Sequence, residues 1–322
     1  MDRRKFIYTG ATALMAAPLV AAAQRARKPH IGFLTPDDTM EQPFWEGMRD
    51  LGYVDGKNII VDRRSAEGDF TRLPTLAADL VKLRPDVIVA TFSAATIAAR
   101  QATATIPIVM AGVSDPSVAG LVSNLARPGG NVTGTSSQNN AVVAKQIELI
   151  RQVLPKSARV AALWNPENAI FQQLMLSEAL GAGARLGLLV RIREVRTREE
   201  LERAFATFAS ERPDAVLILA DTMFIANARA VGELGLVHRI PVFSGTRPLA
   251  EAGALAIYGP DQSLTVRRAA VYVQRILNGA KPGDLAVELP TRFELVINMK
   301  TAQALGVAVP PGTIARADYV IR

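Results

Sequence analysis

Two stretches decide how this chain is read: Arg84-Pro-Asp-Val-Ile-Val-Ala-Thr-Phe-Ser93 and Arg212-Pro-Asp-Ala-Val-Leu-Ile-Leu-Ala-Asp221, the second lying 128 positions after the first. At the same offset upstream, Leu73, Leu76, Ala77 and Leu80 correspond to Leu201, Ala204, Phe205 and Phe208, an i, i+3, i+4, i+7 spacing that places four apolar side chains on one helix face. Asp69 and Thr197 fall at the equivalent helix starts, where such side chains accept the free N–H groups of the first turn. Thr197 is also followed by Glu200 at capping-box spacing. Each copy therefore reads as an amphipathic helix feeding a buried strand. Looser echoes extend the pattern: His30-Ile-Gly-Phe-Leu34 matches Arg159-Val-Ala-Ala-Leu163, and Ile106-Pro-Ile-Val109 matches Ile240-Pro-Val-Phe243. Solenoid repeats run to roughly 20–50 residues, so this longer period marks a domain used twice.

Strands alternating with helices of 10 to 15 residues imply βαβ units and parallel sheets. The first series predicts strands at 30–34, 58–64, 86–90 and 106–110, with helices over 42–51, 71–83 and 94–103. After the breaker Arg127-Pro-Gly-Gly-Asn131, the stretch Val132–Ser136 reads as a strand entering a second lobe, and an equivalent series follows to Phe243. Beyond it come a strand at 255–258, a helix at 262–277 and a strand at 293–297, read as the chain returning to the first lobe and crossing again. The fold class expected is α/β, with two similar doubly wound parallel-sheet lobes joined by a three-crossover hinge. The first lobe is assigned residues 28–134 plus 251–285 and the second 135–250 plus 286–322. Val132–Ser136, Ala250–Gly253 and Ala286–Pro290 are the expected connecting segments.

At 322 residues the chain is longer than one hydrophobic core usually supports, which agrees with two lobes. The formal charge of +7 raises nucleic acid as a partner, but the basic residues are scattered beyond the first few positions, so a solvated surface is expected instead. Residues 1–23 read as a signal peptide: Arg3-Arg4-Lys5-Phe6-Ile7 has the twin-arginine export pattern, Tyr8–Val20 is a short apolar stretch, and Ala21-Ala22-Ala23 offers a cleavage site. The expected location is periplasmic. The chain has no cysteine, which excludes disulfides, thiolate metal sites and a cysteine nucleophile. Its two histidines, His30 and His238, are too isolated for a metal site.

Several segments together resemble one family: Leu51-Gly-Tyr-Val-Asp-Gly-Lys-Asn58, Asp115-Pro116, Leu125-Ala-Arg-Pro-Gly-Gly-Asn-Val-Thr-Gly134, Trp164-Asn-Pro166, Tyr258-Gly-Pro-Asp261 and Leu289-Pro-Thr-Arg-Phe-Glu-Leu-Val-Ile-Asn-Met-Lys-Thr-Ala302. They look like the substrate-binding proteins of ABC importers, the family that includes tryptophan-binding proteins. The resemblance covers nearly the whole chain after the leader. It implies a type I periplasmic binding fold, a small-molecule ligand held between two lobes, and delivery of that ligand to an ABC transporter membrane permease.

Open α/β sheets bind ligands beyond the carboxyl ends of their strands, often at helix N-termini. That rule selects Thr35 after the first strand, Phe92, Ser93, Ala94 and Ala95 after the third, and Ser114 and Asp115 after the fourth. In the second lobe it selects Asn165, Asn168, Asp221 and Thr222; Thr135 and the aromatic Tyr258 complete the set. The 128-residue offset maps Ser93 onto Asp221, so equivalent loops differ in charge. A carboxylate suits the Ser93 side and an ammonium suits Asp221, which together fit an amino acid or a related carboxylate. Helix capping is the competing account of both residues.

Enzyme signatures are poor. Gly181-Ala-Gly-Ala-Arg-Leu-Gly187 has the wrong spacing for a dinucleotide loop and precedes a strand. No Walker loop, Gly-x-Ser-x-Gly elbow or His-Glu-x-x-His helix is present. The expectation is a monomeric binding protein that is not an enzyme, with no metal, cofactor or nucleic-acid partner. The alternatives are an exported enzyme using Asp115 or Asp221 as acid or base, and a ligand sensor docking to a membrane receptor.

Overall fold

The computed structural model describes residues 27–38 and 40–322; the signal read from residues 1–23 lies outside them. The repeated stretches behave as twins. Arg84 and Arg212 both adopt left-handed backbone, with φ of 51° and 48°, within two residues of the ends of helices Leu73–Lys82 and Arg198–Glu211. Each helix thus stops at a left-handed residue, and the proline that follows prevents its continuation. The aspartate of each motif then ties down a neighbouring strand. Asp86 accepts the His30 backbone N–H at 2.7 Å, and Asp214 accepts those of Ala158 and Arg159, both at 2.8 Å.

The first sheet contains β1 (His30–Thr35), β2 (Ile60–Ser65), β3 (Val87–Thr91), β4 (Ile108–Val113) and β5 (Val132–Ser136), all parallel, in the order β2-β1-β3-β4-β5. The second contains β6 (Arg159–Trp164), β7 (Leu189–Glu194), β8 (Ala215–Ile218), β9 (Val242–Ser244), β10 (Ala256–Pro260), β11 (Phe293–Asn298) and β12 (Tyr319–Ile321), in the order β12-β11-β10-β9-β8-β6-β7. Its first five strands repeat the topology of the first sheet: β6 sits between β7 and β8, as β1 sits between β2 and β3. The β10–β11 pair is antiparallel, so the second sheet is mixed. Successive residues face opposite sides. Val87 and Val89 join one buried cluster while Ile88 and Ala90 join another, and Val216 and Ile218 are separated from Ala215 and Leu217 in the same way. Helices cover both faces, as that alternation requires.

This duplication corrects the expected lobe boundaries. Val132–Ser136 does not enter the second lobe; it is the fifth strand of the first sheet. Ala256–Pro260 is its counterpart in the second sheet, so the stretch from 251 does not begin a return to the first lobe. The chain crosses after the fifth strand of each unit, near 137–139 and at Asp261. It crosses a third time near 289–292, because Val287 and Glu288 still bond the first lobe through Leu125 and Gly134. Ala250–Gly253 is no connector, since it ends the helix Arg247–Glu251 within the second lobe.

Each lobe receives a helix from across the hinge. Helix Val143–Val153, which follows β5, packs into the second lobe, and helix Gln262–Leu277, which follows β10, packs against helix Glu41–Asp50 of the first. The approach is close: a Cβ on Gly47 would lie 2.6 Å from the Arg267 carbonyl oxygen. The three crossings are tied together. Thr135 Oγ1 donates to the Thr265 carbonyl at 3.1 Å, and Arg268 donates twice to Glu288 at 2.7 and 2.9 Å.

Candidate functional site

Between the lobes lies a narrow gap lined by residues of both. The first lobe contributes Phe92, Ser93 and Ala94 to its wall, and the second contributes Ala220, Asp221 and Thr222. These triplets are related by the 128-residue offset, so the duplication sets equivalent strand ends face to face across the gap.

On the first-lobe side, β3 ends at Thr91 and Phe92 immediately takes a left-handed conformation, φ 58°. That conformation costs an L-residue about 1–2 kcal/mol, and such strain concentrates at functional sites. The turn is held by Thr96 Oγ1, which donates to the Phe92 carbonyl at 2.7 Å. Helix Phe92–Ala102 has no side-chain cap, so its N-terminal N–H groups and positive dipole end are available to an anion. Ser93 Oγ accepts the Ser114 N–H at 3.3 Å, joining the ends of β3 and β4.

On the second-lobe side Asp221 is only 6% exposed. It caps the short helix Thr222–Ala226 by accepting the Met223 N–H at 2.9 Å. It also accepts from Asn165 Nδ2 at 3.2 Å and Asn168 Nδ2 at 2.8 Å. All three donors are neutral. They fix the carboxylate's position without cancelling its charge, and a buried charge calls for a cationic partner.

Three further buried polar groups on the wall have no hydrogen-bond partner among the described residues: Ser114 Oγ, Asn139 Oδ1 and Gln262 Oε1. Buried polar atoms are rarely left unpaired, so these three are free to bond whatever fills the cavity, water or ligand. Asn139 and Gln262 stand just past β5 and β10, at corresponding crossings. Phe92, Phe171 and Ile225 supply the apolar part of the wall.

Phe92, Ser93, Ala94, Ser114, Asn168, Asp221 and Thr222 thus meet at one cavity. The other sequence-selected residues lie elsewhere. Thr35 accepts the Thr91 hydroxyl hydrogen bond behind the strand end, and Ala95 packs in the first-lobe core. Asp115 is not on the wall; its carboxylate accepts the Ser117 and Val118 N–H groups, both at 3.1 Å, and closes a turn. Thr135 is spent at the hinge. Asn165 donates to Asp221 and borders the adjoining outer space. The Tyr258 ring stacks on Phe293 with centroids 6.2 Å apart and is not on the cavity wall. Gly112, Asn139, Phe171, Ala220, Ile225 and Gln262 are the wall residues that the strand-end selection does not include.

Comparison with known proteins agrees with this architecture. The sequence profile described as "ABC transporter substrate binding protein" matches residues 37–321. The chain belongs to that family. Among the relatives of this substrate-binding protein is a tyrosine-binding protein of Clostridioides difficile (strain R20291), 28% identical over 268 residues that span 83% of this chain and 76% of that one. A solved ABC domain from Streptococcus pneumonia in complex with L-Trp superposes with a TM-score of 0.85 at 27% identity, covering 91% of this chain and all of that one. A conserved domain protein of Vibrio cholerae gives the same TM-score at 29% identity, with the same coverage. The substrate-binding protein thus has the type I periplasmic binding fold, and among its described residues no helix is long and apolar enough to cross a membrane.

Proposed function

We propose that the cleft binds an aromatic amino acid and that the protein, exported to the periplasm, hands it to an ABC-type permease without chemical change. The carrying observation is the charge asymmetry of the cavity. An uncapped helix N-terminus with the Ser93 and Ser114 hydroxyls faces a buried, positioned Asp221. This pairing suits an α-carboxylate on the first lobe and an α-ammonium on the second. Phe92, Phe171 and Ile225 suit an apolar side chain, and Asn139 and Gln262 offer acceptors for a ring N–H or O–H. That one relative is a tyrosine-binding protein and another is solved in complex with L-Trp supports the same ligand class. A ligand touching both lobes favours the closed arrangement by its differential affinity for it.

The test is thermal unfolding of protein first denatured and refolded to remove any carried ligand. L-tyrosine or L-tryptophan at 100 times its dissociation constant adds about 2.7 kcal/mol and raises the melting temperature. No response to either, with a response to an aromatic carboxylate lacking the ammonium, would sink the amino-acid reading. Export through the twin-arginine leader is checked by Arg3→Lys with Arg4→Lys, which should leave the unprocessed chain in the cytoplasm. Undiminished export of the double variant would remove that route.

A further inference from the structure

Phe171 stands on helix Ala169–Arg185 of the second lobe, yet its ring is buried, at 2% exposure, within a cluster built from the first lobe. Leu34, Leu73, Ile88 and Met110 are among that cluster's members. The side chain therefore spans the gap between the lobes. It also borders two spaces: the narrow inner cavity, and a roomier outer one of about 310 Å³ lined by Phe70, Thr71, Ile97 and Glu167. Ala94, Asn168, Asp221 and Thr222 border both spaces as well, so the two are compartments of one cleft. Of the residues bordering both spaces Ala94 is the one from the first lobe, and the Phe171 ring is the bulkiest side chain among them.

We infer that Phe171 sets how large a ligand the cleft accepts, by closing the inner cavity off from this outer compartment while joining the second lobe to the core of the first. The outer space suits an extension of the ligand beyond a single amino acid, flanked by the Phe70 ring and the Ile97 side chain. Phe70 makes the reciprocal contact, packing from the first lobe against one of the two apolar clusters of the second. The size limit is thus imposed by a contact that exists only when the lobes are together.

The inference rests on the amino-acid reading, and the experiment has two arms so that each can fail separately. In the first, calorimetry compares L-tyrosine and L-tryptophan with the dipeptides Tyr-Ala and Trp-Ala, on the wild type and on Phe171→Ala. The ratio of dipeptide to single amino-acid affinity should rise by about tenfold or more in Phe171→Ala. Phe171→Leu, which keeps apolar bulk, should fall between and guards against a folding defect. An unchanged ratio in both variants overturns the inference. If neither amino acid nor dipeptide binds the wild type, the ligand reading has failed, and the second arm decides alone. The chain has no cysteine, so spin labels at Thr75→Cys and Ser177→Cys, exposed positions on the two lobes, report lobe separation without any ligand. The wild-type distances should include a short, closed component that Phe171→Ala loses. Identical distributions overturn the inference.

Discussion

Asp221→Asn should weaken binding of L-tyrosine or L-tryptophan by about 2–4 kcal/mol, roughly 30- to 1000-fold. The carboxylate is buried and its three donors, Asn165, Asn168 and Met223 N–H, are neutral, so the ligand ammonium is its sole expected countercharge in the cleft. An asparagine there presents an amide nitrogen toward side chains that are themselves donors, which disturbs the position as well as removing the charge. Loss of recognition is separated from loss of shape by ligands without the ammonium. Wild-type protein should reject indole-3-propionate relative to tryptophan, whereas Asp221→Asn should bind the two within a few-fold of each other. Calorimetry on the four pairings checks this. Full discrimination retained by Asp221→Asn would place the ammonium elsewhere.

Arg247→Met should cost about 2–4 kcal/mol of stability without touching the cleft wall. Glu294 lies on β11 with its side chain 2% exposed, and Arg247, on helix Arg247–Glu251, holds both of its carboxylate oxygens. Burial works against the guanidinium's charge, but the Glu294 hydrogen bonds and charge raise its pKa above the ordinary arginine value. The guanidinium also lies over the Tyr319 ring, 5.4 Å from its centre, a contact the methionine stem partly keeps. Removing the cation strands a buried carboxylate, and that penalty dominates. The surface exposure of Arg247, 36%, keeps the estimate below that for a fully buried pair. Urea unfolding of Arg247→Met alone and combined with Glu294→Leu tests the account. The double variant should recover most of the loss; if it is as unstable as the single one, the stranded charge is not the cause.

The fold was legible where local physics repeats itself. Arg-Pro-Asp recurs because a helix must stop, the chain must turn, and a strand edge needs an acceptor, and the same three residues meet those needs at 84–86 and 212–214. The strand-end rule then reached Ser93 and Asp221 on opposite walls of one cleft. The crossings were harder. Val132-Thr-Gly-Thr-Ser136 and Ala256-Ile-Tyr-Gly-Pro260 share a position in the fold but little sequence, since burial accepts many apolar or small residues. Without that match β10 could not be recognised as a fifth strand, and its antiparallel partner β11 lies outside the duplicated pattern. Phe171 is hidden for another reason. A phenylalanine in an apolar helix reads as core, and it is core, but of the other lobe. Asn139 and Gln262 gave no periodic signal, because their role depends on where the chain crosses.

The exchange of helices across the hinge bears on how the nascent protein matures. The first sheet's helix Gln262–Leu277 leaves the ribosome long after β1–β5, at 5–20 residues per second a delay on the order of ten seconds. Throughout that interval Ile31, Phe33, Val87 and Val109 lack the cover they have in the finished molecule. The amino-terminal half must therefore wait, guarded or partly formed, for the carboxy-terminal half to be made.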